Sequence, residues 1–89
     1  YPYLGNSNQW VDSGRAQGYE ISTTPKPGSA VVFMPGVAGA SPIYGHVSFC
    51  EYVNSDGSFL VSEMNYGGLY VMNWRTLTPQ SGIYFVTPK

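Results

Sequence analysis

Two β-prone runs with a turn signal between them constrain this chain more than any other feature. His46 to Val53 (HVSFCEYV) and Phe59 to Asn65 (FLVSEMN) are rich in β-branched and aromatic residues. Asn54-Ser55-Asp56-Gly57 separates them, and Asp-Gly supplies the positive φ of a tight turn. The pattern predicts a β-hairpin with a four-residue loop, in which Val53 faces Ser58. His46 then falls opposite Asn65. Glu63 becomes the diagonal neighbour of His46 on the same face, because side chains alternate with period two. A register moved by two residues keeps these three together, whereas a slip by one separates them. Glu63 also shares its face with Phe59 and Val61, so its carboxylate needs a partner. His46 is the one at hand.

An imidazole beside a carboxylate is held in one tautomer and can act as a general base. A nearby amide such as Asn65 can orient the ring or stabilise developing charge. Such a group needs a nucleophile, and a thiol is the usual companion. The chain has a single cysteine, Cys50. It lies four residues along the strand from His46, about 13 Å at roughly 3.3 Å per residue. A nucleophile–base contact needs about 3 Å. Cys50 therefore reads as a small buried apolar residue.

Six short motifs occur in one order. They are Leu4-Gly5-Asn6-Ser7-Asn8-Gln9-Trp10, Gly18-Tyr19, Pro27 to Phe33 (PGSAVVF), Tyr44-Gly45-His46-Val47, Asn54-Ser55-Asp56-Gly57 and Ser62-Glu63-Met64-Asn65-Tyr66. Together they resemble the CHAP family, the cysteine- and histidine-dependent amidohydrolases/peptidases of bacterial and phage cell-wall lysis. Asn73-Trp74-Arg75 is similar to a terminal strand of secreted staphylococcal-antigen-type members. The resemblance implies that His46 is the catalytic base, Glu63 its orienting acid and Asn65 an assisting amide. It places the nucleophilic Cys in a helix-start motif upstream of Tyr1. It thus describes residues 1–89 as a single, N-terminally incomplete CHAP-like domain. Ser7 and Gly14 stand where the family favours alanine, and Gly14 weakens a helix by about 1 kcal/mol.

The implied fold is α+β and papain-like: one short N-terminal helix packed on an antiparallel sheet of about five strands. The residues agree with that outline. Asn6 is a fair N-cap for a helix to Gln17 that ends at Gly18. Residues 22–26 read as loop, Ser29 to Met34 as a strand, and Pro35 to Pro42 (PGVAGASP) as a mobile loop beside the site. After the hairpin, Tyr66-Gly67-Gly68 turns the chain into strands at Tyr70 to Thr76 and Ile83 to Val86. Tyr44, Gly45 and Tyr66 flank the site and are candidates for substrate contact. Trp10 and Trp74 are expected in the core.

The 43% apolar content marks a globular chain, and 89 residues make one domain at most. Net charge is −1 with no basic patch, which argues against nucleic-acid binding. No apolar run approaches the roughly 20 residues of a membrane span. Nothing in the sequence supports a metal site or a cofactor. The resemblance implies a peptidoglycan hydrolase, acting as an N-acetylmuramoyl-L-alanine amidase or a peptide-bridge endopeptidase. Its setting would be secreted, at the bacterial wall, or that of a phage lysin. The thiol would come from a complementing N-terminal segment or a second chain. The alternative is an inactive CHAP-like module that binds wall peptide or a partner protein.

Overall fold

A computed structural model describes residues 9–64 and 72–88 of the chain. Within them, helix α1 (Trp10–Ala16) precedes strands β1 (Glu20–Ser22), β2 (Ala30–Phe33), β3 (His46–Val53), β4 (Phe59–Met64), β5 (Met72–Leu77) and β6 (Ile83–Thr87). A 3-10 turn at Val37–Gly39 lies between β2 and β3. The strands form one six-stranded sheet in the order β1-β6-β2-β3-β4-β5, with every neighbouring pair antiparallel. This is the α+β arrangement expected, with one more strand. Glu20–Ser22 pairs with Ser22↔Phe85 and Ile21↔Val86 along β6. Three residues are too few for periodicity to reveal.

The continuous apolar run of β2 (AVVF) is buried throughout, as a central strand covered on both faces should be. Val31 and Phe33 face one core, with Cys50, Phe59, Val61, Ile83 and Phe85. Ala30 and Val32 face a second, with Val86. Trp10, Tyr19 and Ile21 cover that second core, which docks α1 on this side. Gly14 permits the close approach: a Cβ there would lie 3.2 Å from the Ile21 Cδ1 and 3.3 Å from the Val86 Cγ1. The helix exits at Gly18 as expected, with φ 81° and the Tyr19 amide donating to the Gly14 carbonyl at 2.8 Å. The expected cap, Asn6, lies outside the described residues.

The first core is enclosed by curvature of the sheet itself. Phe59 on β4 and Phe85 on β6 are separated in the sheet by β2 and β3. Their rings nevertheless meet edge to face with centroids 5.0 Å apart. The sheet therefore curls into a half-barrel, and the turn at residues 37–40 packs against the same core. The 35–42 segment, expected as a mobile loop, is held by backbone hydrogen bonds from Gly36 to Ser41, from Ala40 to Val37 and from Gly45 to Ser41.

The hairpin differs from expectation in a way that matters for the site. Asn54 and Ser58 pair, the Asn54 amide donating to the Ser58 carbonyl at 2.8 Å. The loop is thus three residues, with Gly57 at φ 90°. Asp56 Oδ1 accepts from both the backbone N–H (2.9 Å) and the hydroxyl (2.6 Å) of Ser58. Those bonds hold the Asp56 carboxyl below its usual range. Val53 consequently faces Phe59 rather than Ser58. That register, continued along the strands, would put His46 and Glu63 on opposite faces. It does not continue. A β-bulge between Cys50 and Tyr52 shifts the pairing by one, so that Cys50 faces Val61 and Phe49 faces Ser62. On the far side of the bulge the register is the expected one. The extra residue, Glu51, is exposed, and its Oε2 accepts the Ser62 hydroxyl at 2.6 Å.

Candidate active site

His46 opens β3 immediately after Gly45, whose φ of 73° belongs to the left-handed region. The approach to it is a tight turn. Gly45 donates to the Ser41 carbonyl at 3.0 Å, and the Ser41 hydroxyl accepts the amides of Ile43 and Tyr44 at 3.2 Å each. On the neighbouring strand Phe33 pairs with His46, and the two rings stack with centroids 5.5 Å apart. The imidazole is thus fixed from below by an aromatic face. Its Nε2 lies 2.8 Å from Glu63 Oε1. The Glu63 side chain is fully buried, and that of His46 is 16% exposed.

Glu63 is the hub of the cluster. Its Oε2 accepts Arg75 Nε at 2.5 Å and Asn73 Nδ2 at 2.9 Å, and Oε1 also accepts Arg75 Nη2 at 3.1 Å. The remaining guanidinium nitrogen, Nη1, donates to the Ala38 carbonyl at 2.7 Å. Ala38 adopts φ 51°, a left-handed conformation costly for a non-glycine residue. The guanidinium also sits over the Phe33 ring, 5.4 Å from its centroid. Burial alone would raise the Glu63 carboxyl. The hydrogen bonds from Arg75, Asn73 and His46, with the charge of Arg75, outweigh it and hold the group below its usual range. Glu63 is therefore an ionised carboxylate at neutral pH. With Nε2–H donated to that carboxylate, Nδ1 becomes the basic nitrogen of the neutral ring.

The structure brings His46 and Glu63 together and leaves Cys50 apart. Cys50 is fully buried in the first core, and burial pushes its thiol up. Such a thiol is poorly nucleophilic. Tyr44 is 56% exposed, one residue before His46. Asn65 and Tyr66 lie outside the described residues. Among the described residues, no group of three or more His, Cys, Asp or Glu side chains could hold a metal ion.

Arg75 and Asn73 are site residues that the sequence does not reveal, because β5 faces the opposite way from what its tryptophan suggests. Treating Trp74 as a core anchor turns both neighbours outward. Trp74 is instead 56% exposed, and Asn73, Arg75 and Leu77 form the inward face. The reason is electrostatic. Glu63 faces Asn73 across the β4–β5 ladder, and a buried carboxylate requires donors on that face. The polar–aromatic–polar alternation of Asn73-Trp74-Arg75, read together with the inward Glu63, is the signal that locates them.

A family model, the CHAP domain, matches residues 1–65. The chain belongs to the CHAP domain family. An N-acetylmuramoyl-L-alanine amidase domain-containing protein of Staphylococcus aureus is 46% identical over 74 residues, which cover 83% of this chain and 12% of that protein. A probable autolysin of the same organism, SsaALP, is 42% identical over 84% of this chain and 26% of its own length. The staphylococcal secretory antigen SsaA is 42% identical over 90% of this chain and 30% of its own. The crystal structure of an N-acetylmuramoyl-L-alanine amidase from Staphylococcus aureus matches with a TM-score of 0.89 at 41% identity. That match covers 97% of this chain and 25% of the amidase chain. This CHAP chain thus spans less than a third of the length of these relatives. Among its described residues, no helix is long and apolar enough to cross a membrane.

Proposed function

We propose that this chain is the histidine-bearing part of a peptidoglycan hydrolase domain that cleaves an amide bond. The reaction is either that of an N-acetylmuramoyl-L-alanine amidase or that of a peptide-bridge endopeptidase. The observation that carries this reading is the 2.8 Å contact between His46 Nε2 and a fully buried Glu63 in a chain of the CHAP family. His46 takes the proton of a thiol through Nδ1 and returns it to the leaving amine. The thiolate attacks the amide carbonyl to give an acyl-enzyme, which water then hydrolyses. Glu63 fixes the ring and stabilises the imidazolium. Asn65 assists the ring or polarises the substrate. Tyr44, Gly45 and Tyr66 contact the wall peptide in this reading. The family resemblance implies that the thiol belongs to a Cys upstream of Tyr1, and the burial of Cys50 within the first core supports a source other than Cys50. Relatives named as an autolysin and as a secretory antigen support a secreted, wall-associated setting.

The test is hydrolysis of purified peptidoglycan by the intact protein that contains this chain. The products identify the bond, since an amidase frees the stem peptide from muramic acid and an endopeptidase frees an amino terminus inside the peptide. His46→Ala is expected to lower the rate by at least about 100-fold. Unchanged hydrolysis by His46→Ala would remove the base from the mechanism.

A further inference from the structure

We propose that Arg75 is a positioning residue of this site: its guanidinium grips both carboxylate oxygens of Glu63, aims Oε1 at His46, and ties the assembly to the 35–42 turn through the Ala38 carbonyl. The inference rests on the hydrolase reading only in that His46 is taken as the base.

The geometry makes the assignment. A carboxylate at the end of the Glu63 side chain can rotate about its last bond, and rotation would carry Oε1 away from the imidazole. Arg75 removes that freedom by bonding Oε2 through Nε (2.5 Å) and Oε1 through Nη2 (3.1 Å). Two parallel N–H donors in a rigid plane set the plane of the carboxylate, which a single ammonium donor cannot do. Asn73 completes the hold on Oε2. The guanidinium is itself immobilised, by the Ala38 carbonyl at 2.7 Å and by the Phe33 ring beneath it. Phe33 also stacks on His46, so base and clamp rest on one aromatic platform. The left-handed Ala38 gains a reason as well, since its carbonyl is the acceptor for Arg75 Nη1.

The experiment is peptidoglycan hydrolysis by the intact protein in the wild type, Arg75→Lys and Arg75→Met. Arg75→Lys keeps the charge but cannot make the fork, so it should lose at least about ten-fold in kcat with KM little changed. Arg75→Met should lose at least as much, and if it does not fold, Arg75→Gln, which keeps a donor without the fork, takes its place. Full kcat in Arg75→Lys, or a loss carried by KM alone, overturns the positioning role. The two readings fail separately. Hydrolysis that survives His46→Ala sinks the hydrolase mechanism. Hydrolysis that is lost in His46→Ala and kept in Arg75→Lys sinks the role of Arg75 and leaves His46 as base.

Discussion

Replacing Glu63 with leucine removes the hub of the buried cluster and leaves its partners behind. The carboxylate accepts four recorded hydrogen bonds, two from Arg75 and one each from Asn73 and His46. The Arg75 side chain is 17% exposed, so its charge cannot recover full hydration when the carboxylate is gone. Breaking such a pair from one side costs about 3–5 kcal/mol. A chain of this size has roughly 4–13 kcal/mol of total stability at about 0.05–0.15 kcal/mol per residue. The single substitution therefore removes a large share of it and lowers Tm by at least about 12 °C. Replacing both partners is a different perturbation. Glu63→Leu with Arg75→Met leaves no uncompensated charge, and its cost should be far below the sum of the single costs, within about 2 kcal/mol of wild type. Urea unfolding followed by tryptophan fluorescence, for all four members of the cycle, measures this. Additive costs, or a Glu63→Leu cost below about 1 kcal/mol, would refute the buried ion pair as the organising contact.

Four further outcomes follow from the same structure. The Glu63 carboxyl is held below its unfolded value by the Arg75, Asn73 and His46 hydrogen bonds, which outweigh burial. Its contribution to stability is present above that value and is lost as pH falls through the lower, folded one. Acid titration of stability should therefore be flatter in Glu63→Gln than in wild type, and equal slopes would contradict the assignment. Gly14→Leu should destabilise by about 1–3 kcal/mol despite its better helix propensity, because its side chain meets Ile21 and Val86; a stabilised variant would show that the helix does not dock there. Deleting Glu51 removes the residue that forms the bulge and keeps the pairing on both sides, so peptidoglycan hydrolysis by the intact protein should stay within about three-fold of wild type; a larger loss would mean that the bulge does more than correct register. Cys50 should react with a soluble maleimide at least about 1,000-fold more slowly in the native chain than in urea. Equal rates would place that thiol outside the core.

The hairpin that carries His46 and Glu63 was legible because both its strands alternate and its turn residues are distinctive. The helix exit at Gly18 was legible for a similar reason, a glycine where the chain must take positive φ. The bulge was not. Whether Asn54 pairs with Ser58 depends on hydrogen bonds among Asn54, Asp56 and Ser58, and a composition of turn formers does not distinguish three loop residues from four. The expected register was right beside the site because the bulge corrects the shift that the shorter loop introduces. The facing of β5 was illegible for a different reason. Hydrophobicity alone points Trp74 inward, and the opposite outcome is dictated by a buried carboxylate on the next strand. Strand Glu20–Ser22 is defined by its pairing with β6 and not by any local pattern.

The central claim is that Glu63 holds His46 as the base of an amide-cleaving wall hydrolase. Its most direct test is peptidoglycan hydrolysis by the intact protein carrying Glu63→Gln, with folding checked by circular dichroism. Glutamine keeps the shape of the side chain and loses the charge and the fixed acceptor, which presents the imidazole in the wrong tautomer. The expected result is a folded protein whose kcat falls by at least about 1,000-fold, the scale seen when the acid of a catalytic triad becomes an amide. A folded Glu63→Gln variant that hydrolyses peptidoglycan within about three-fold of wild type, under about 1 kcal/mol in the barrier, would contradict the account.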